Sequence, residues 1–174
     1  MSQQHGYVAA DALVDTAWVA QHLDDPTVRL VEVDVDTSAY ETGHIPGAVG
    51  WNWQTQLCDT LRRDVPAKAE LEKLLGESGI APETTVVLYG DNNNWFAAWA
   101  FWHLMMFGHR DVRIMDGGRK KWEAEGRPMT TAVPQHRATH YQAKDPDHSI
   151  RAFRDQVLSS VGVPGKAFVD VRSP

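Results

Sequence analysis

Gly90-Asp91-Asn92-Asn93-Asn94 joins two apolar runs, Val86-Val87-Leu88-Tyr89 before it and Trp95-Phe96-Ala97-Ala98-Trp99-Ala100-Phe101-Trp102 after it. The first run reads as a buried strand and the second as a helix. A strand, a tight loop and a helix in this order aim backbone N–H groups into a small bowl at the helix N-terminus. Such a bowl binds anions or stabilises a thiolate. The residues inside it do not suit that chemistry. The loop holds no Cys, Ser, Arg or Lys, and Asp91 puts a carboxylate where an anion would sit. The setting is one for anionic sulfur or phosphorus chemistry, with the reacting groups missing. Asp91 and Asn92 to Asn94 suit instead the capping of the helix that opens at Trp95, a contribution of about 1 kcal/mol.

Other reactive side chains are sparse. Cys58 is the single thiol, in a polar stretch after an apolar strand rather than at a helix N-terminus. It reads as structural or incidental. The chain has eight His. His136 and His140 are four apart, but between Pro134 and Pro146 in a stretch without helical periodicity. With no Cys pair and no His-Glu-x-x-His pattern, neither a metal nor another cofactor is expected. His44, in Gly43-His44-Ile45-Pro46-Gly47, reads as a hydrogen-bonded turn residue. Asp34 and Asp36, at the end of a strand, read as turn or capping groups. Asp116 should organise the Gly117-Gly118 turn, and Arg119-Lys120-Lys121 reads as a solvated helix face. A phosphatase site needs a Cys, five intervening residues and then an Arg, and no such pattern occurs.

Short strands and helices alternate around these groups. Asp15 can cap a helix from Thr16 to about Leu23. Val28 to Asp34 reads as a strand, with a turn of helix around Tyr40 and a second strand from Val49 to Trp53. Pro66 suits a first helical position, Leu71, Leu74 and Leu75 follow with helical spacing, and Gly79 closes that helix. Val86 to Tyr89 is a third strand. The helix from Trp95 to Phe107 is apolar almost all round and should be buried on most of its surface. Val112 to Met115 is a fourth strand, and Arg119 to Glu125 a short helix ended by Gly126. This alternation implies parallel crossovers in an α/β three-layer sandwich, a central mainly parallel sheet flanked by helices.

Residues 130–149 change character: polar, with two prolines and no periodicity, they read as a linker. A helical pattern follows from Ile150 to Ser159, then Phe168-Val169-Asp170-Val171-Arg172 as a strand. That strand resembles Leu30-Val31-Glu32-Val33-Asp34, as though a second copy of the domain were beginning. A helix and one strand cannot bury a core alone, so the chain reads as part of a longer protein.

Composition narrows the function. The 174 residues carry 17 Lys+Arg against 23 Asp+Glu, a net charge of −6, with 43% hydrophobic and 23% charged residues. These values fit an ordinary globular protein and argue against a nucleic-acid or membrane-surface binder. Met1 to Gly6 is polar with no apolar run behind it, so no signal peptide is expected. With no long apolar stretch and a lone Cys, a cytoplasmic location is expected.

Three motifs together resemble the rhodanese family, in particular its tandem-domain thiosulfate sulfurtransferases: Tyr40-x-x-Gly43-His44-Ile45-Pro46-Gly47-Ala48, the strand ending at Tyr89, and Asp116-Gly117-Gly118-x-x-x-Trp122. The segment Asn92-Asn93-Asn94-Trp95-Phe96-Ala97-Ala98 is similar to that of actinobacterial-type members. The resemblance implies a rhodanese-like domain over 8–129 that lacks the catalytic Cys, an interdomain linker over 130–149, and the first helix and strand of a second such domain over 150–174. In that family only the second domain carries the Cys, which takes sulfane sulfur from thiosulfate as a persulfide, releases sulfite and passes the sulfur to cyanide or another thiophile. Gly90 stands where that Cys would be. Trp95 and Phe96 then either pack in the core or line the pocket between domains. Arg172, in an Asp-x-Arg pattern, would help hold the anionic donor. The rest of the catalytic domain is the implied protein partner. The expected function is therefore that of a thiosulfate sulfurtransferase whose nucleophile lies outside these residues. The alternative is an inactive rhodanese-like binding or scaffold module, with the acidic Asp91 loop meeting a cationic partner.

Overall fold

A computed structural model describes residues 10–62 and 64–170. Five strands form one parallel sheet: β1 (Leu13–Val14), β2 (Val28–Asp34), β3 (Val49–Asn52), β4 (Thr85–Tyr89) and β5 (Val112–Met115), in the order β1-β5-β4-β2-β3. The expected strands fall where the apolar runs placed them. The two-residue β1 went unread, because so short a strand leaves no alternation and exists only by pairing Leu13 with Ile114 and Val14 with Met115.

Side-chain alternation along β2 separates the two faces. Val31 and Val33 join Val86 and Leu88 against α4 (Lys68–Glu77) and α5 (Trp95–Met106), where Leu71, Leu75, Ala97, Ala100 and Leu104 complete one core. Val28 and Leu30 join Val87 and Tyr89 against α1 (Thr16–Gln21) and α6 (Gly118–Ala124), where Val19 and Trp122 close the other. The result is the three-layer α/β sandwich. The same alternation turns Glu32 and Asp34 towards the α6 side, where a charged residue needs a partner.

Local chemistry sets the helix ends. Asp15 caps α1 by accepting the Trp18 N–H at 2.7 Å. In α4, Pro66 lies one residue before the N-cap rather than inside the helix, and Glu70 reaches back to the Ala67 N–H at 2.9 Å. Short helices α2 (Ser38–Thr42) and α3 (Trp53–Gln56) flank β3. Here α5 departs from expectation. Its sheet-facing side is buried, but Trp95 and Met105 are exposed and Trp99, Phe101 and Trp102 only half-covered. One sheet buries one side of a helix, and the aromatic remainder faces outward.

The expected linker is instead bonded along its length. Residues 130–147 form an extended strap with no regular structure, anchored by Thr130 paired with His44, Thr139 N–H to Gly76 O (3.0 Å), Lys144 N–H to Phe107 O (3.0 Å) and Asp147 N–H to Met106 O (2.8 Å). Tyr141 and Ala143 are buried while Gln142 and Lys144 are exposed. Beyond the strap, α7 (Arg154–Ser160) is shorter than its apolar pattern suggested and exposes Leu158. Phe168 to Asp170, expected in a strand, belong to none of the strands of the sheet. An extended segment becomes a strand only when a neighbour supplies the ladder. Val171 and Arg172 lie outside the described residues.

Candidate functional site: a closed loop at the end of the sheet

Ligands of open parallel sheets gather beyond the carboxyl ends of the strands. Gly90 to Asn94 occupies that position, between β4 and α5, with the end of β2 on one side and the start of α6 on the other. Asn92 to Asn94 form one 3-10 turn in which Asn93 and Asn94 adopt left-handed backbone, φ 54° and 63°. Asn tolerates this region better than other residues with a Cβ.

The bowl is filled from within. The Gly90 N–H donates to Asn94 Oδ1 at 3.0 Å, and Asn94 Nδ2 donates to Met115 O at 2.9 Å. The Asp91 N–H donates to Asp34 Oδ1 at 3.0 Å, and the Asn94 N–H returns to Asp91 O at 2.9 Å. Two N–H groups that would face an anion are thus spent on side chains of the protein itself. Helix capping by the Asn94 side chain, expected from the sequence, does not occur: Asn94 is the N-cap of α5, but its left-handed backbone turns the amide inward.

Close packing explains the glycines. A Cβ at Gly90 would lie 2.5 Å from Val33 O and 2.9 Å from Asp34 Oδ1. Gly90 therefore does more than mark an absent Cys, since any side chain there would be driven into β2 rather than into the bowl. Gly118, at φ 55°, holds its backbone against the Asn94 amide and 2.8 Å (as Cβ to oxygen) from Gly90 O. The Arg119 N–H then donates to that same carbonyl at 3.1 Å.

Three ionisable groups line the floor. Asp34 is only 2% exposed. Burial, reinforced by a side-chain hydrogen bond to Asp91, pushes its carboxyl up to about 8. At neutral pH Asp34 is accordingly protonated. Glu32 is 1% exposed and meets Arg119 Nη1 at 2.5 Å. Burial, with Glu32 adjacent, pushes the Tyr89 hydroxyl well above the usual phenol range, and this hydroxyl accepts from the Ile45 N–H at 3.1 Å.

Arg119 corrects the expectation of a solvated face. It is buried, and besides Glu32 it binds Glu123 at 2.9 Å, Ala39 O at 3.1 Å and Gly43 O at 2.5 Å. It ties the Asp116-Gly117-Gly118 motif to the turn carrying His44. His44 itself bridges Tyr40 O (2.8 Å) and Ala132 O (3.1 Å) and stacks on Tyr40, which bonds Ala48 O at 2.8 Å. Trp122 is buried and donates to Pro128 O at 2.9 Å. The sequence motifs are thus structural joints. Asp36, as expected, closes a turn by accepting the Ser38 N–H at 2.9 Å.

The expected pocket-wall residues diverge. Trp95 is 62% exposed, whereas Phe96 turns in to meet the Trp53 ring at 5.1 Å between centroids. Arg172 lies outside the described residues. Cys58 is far from the loop in the chain and lines a cleft of about 330 Å³ with Trp53, Asp59, Thr60 and Trp99. Burial pushes its thiol up, and no cation among the described residues offsets it. That is the opposite of an activated nucleophile. Among the described residues, no group of three His, Cys, Asp or Glu could hold a metal ion, and no helix is long and apolar enough to cross a membrane.

Asp34, Arg119 and the inward turn of Asn94 escaped sequence reasoning. The available signal was alternation in β2: two carboxylates on a core-facing side require buried partners.

Comparisons with known proteins agree with this geometry. The chain is 53% identical over 165 residues to a Mycolicibacterium smegmatis protein named "Putative thiosulfate sulfurtransferase", covering 95% of this chain and 59% of that protein. It is 52% identical over 172 residues to the sulfur carrier protein TtuD of Thermus thermophilus, covering 97% of this chain and 60% of TtuD. The chain therefore spans about 60% of the length of these curated relatives. The crystal structure of SseA from Escherichia coli, a 3-mercaptopyruvate sulfotransferase of rhodanese fold, superposes with a TM-score of 0.74 at 21% identity, covering 86% of this chain and 61% of SseA. The sequence profile of the rhodanese-like domain matches residues 15–125, from the α1 cap through α6, and the chain belongs to that family.

Proposed function

We propose that these residues form the non-catalytic half of a tandem-domain thiosulfate sulfurtransferase, with the persulfide-forming Cys on a second rhodanese-like domain that begins near residue 150. The observation that carries this reading is the closed loop: its N–H groups bind Asn94 and Asp34, it has no thiol, and a Cβ at Gly90 has no room. Sulfur transfer from thiosulfate needs a thiolate in an electropositive bowl. Asp91 puts a carboxyl group in this one, and the loop carries no Arg or Lys to offset it.

The names and extent of the relatives support the assignment, since the matched region covers only about 60% of their length and their names include a sulfurtransferase and a sulfur carrier protein. In this reading the catalytic domain packs on the exposed aromatic side of α5. Trp95 becomes part of the pocket wall, and Arg172 sits beside the catalytic loop to bind the anionic donor. The acceptor is cyanide or another thiophile, and the reducing cytoplasm keeps the Cys free. The test is a cyanide-dependent thiocyanate assay on the 174-residue chain and on a polypeptide extended to the length of the relatives. Turnover is expected from the longer protein only. Turnover by the shorter chain that survives Cys58→Ser would overturn the proposal.

A further inference from the structure

Three histidines hold the strap, and one of them is unlike the others. His44 Nε2 meets Ala132 O, and His109 meets Tyr141 OH at 2.8 Å and Thr84 O at 2.8 Å. Both rings face oxygen only, and an added proton still finds an acceptor. His136 faces both an oxygen and a cation. Its Nε2 is 3.0 Å from Gly47 O, and Arg29 Nη1 lies 2.6 Å from Nδ1 and 3.0 Å from Nε2. A carbonyl can only accept and a guanidinium can only donate. With Nε2 donating to Gly47 O, the guanidinium finds an acceptor on the ring only while Nδ1 is bare, so the arrangement holds only with a neutral ring.

The contact is also tight and poorly compensated. Arg29, on β2, pairs with no carboxylate among the described residues; its other contact is Gly79 O at 3.4 Å. The His136 Cβ sits against Gly79, 2.8 Å from where a Cβ would stand, and Gly79 is at φ 68°. Arg29 is the charged group that bears on the ring, and both burial and its charge keep the imidazole from protonating, moving it below its ordinary range.

We propose that His136 is an acid-released pin for the strap: protonation at Nδ1 sets an imidazolium against the Arg29 guanidinium and frees the 134–140 end of the strap from β2 and α4. The released ring titrates near 6.5, and the docked ring lower. Docking is therefore complete above about pH 6.5 and weakens as pH falls below it, by at most about tenfold in the opening equilibrium per pH unit. The bonds at Tyr141, Lys144 and Asp147 do not involve His136, so the far end stays attached. Because the strap leads from the family-matched domain to α7, its release lengthens the free tether between them.

Amide hydrogen exchange on the 174-residue chain tests this, corrected for the intrinsic pH dependence of exchange. The probe is the Thr139 N–H, bonded to Gly76 O, with the β4 amides as reference. Between about pH 7.5 and about pH 5, Thr139 protection is expected to fall below 6.5, by at most about tenfold per unit, while β4 protection holds. In His136→Gln, whose amide oxygen can accept from Arg29 and whose amide N–H can donate to Gly47 O, protection should not respond to pH. In His136→Lys it should be low throughout. Flat Thr139 protection in the wild-type chain, or a His136→Gln chain that loses protection as the wild type does, would overturn the proposal. The Gln variant decides the matter even where the Lys variant does not fold.

Discussion

At the scale of single residues, the site is defined by where protons and methylene groups fit. Asp34 is held protonated by burial and by its bond to Asp91. A carboxyl whose folded value lies above its unfolded one stabilises the fold at low pH, and that contribution is lost as pH rises towards the folded value. The wild-type chain should therefore lose thermal stability as pH rises from about 4 to about 8. Asp34→Asn keeps an acceptor for the Asp91 N–H and adds a donor that does not ionise. Its melting temperature at about pH 9 should exceed the wild type's by at least 2–4 °C, the shift for about 1 kcal/mol. Equal slopes for the two proteins in thermal melts across this range would contradict the reading. Arg119→Leu is expected to be far more damaging, because it strands the buried Glu32 charge and two backbone carbonyls. A loss of about 3–5 kcal/mol in urea unfolding is expected. A loss below about 1 kcal/mol would return Arg119 to the solvated face that its neighbours Lys120 and Lys121 suggested.

At the scale of elements, strands and long helices were legible, and the segments between them were not. Val28–Asp34 and Val112–Met115 were readable to the residue because alternation and flanking turns coincide there. The Asn run was misread because Asn suits both a cap and a left-handed turn, and only the position of Met115 O decides between them. The strap was misread as a free linker because its buried residues, Tyr141 and Ala143, alternate with exposed ones without being strongly apolar. Its bonds are to backbone far away in sequence, which no local pattern records. The aromatic helix α5 was legible as a helix but not in its burial, since an apolar sequence does not say which side the sheet takes. The two residues at its start should accordingly respond differently. Phe96→Ala removes packing on Trp53 and should cost about 2–4 kcal/mol, whereas Trp95→Ser should change stability by less than about 0.5 kcal/mol. Urea midpoints of the two variants check this, and a comparable cost for both would place Trp95 in the core.

At the scale of the whole molecule, the α/β sandwich, the acidic composition and the family assignment all point one way, and the chemistry of the loop points another. A fold used for sulfur transfer carries here a bowl whose donors are already occupied, with Asp91 in the loop and the buried carboxyls of Glu32 and Asp34 beneath it. The resemblance pointed to this loop, and the contacts from β2 and α6 that fill it come together only in the folded chain. The central claim is that this loop cannot form or hold a persulfide and that Cys58, its thiol pushed up by burial, does not replace it. The most direct measurement is the intact mass of the 174-residue chain after incubation with thiosulfate, before and after cyanide. The account expects no added sulfur atom. A polypeptide that gains one sulfur at catalytic speed and surrenders it to cyanide would contradict it.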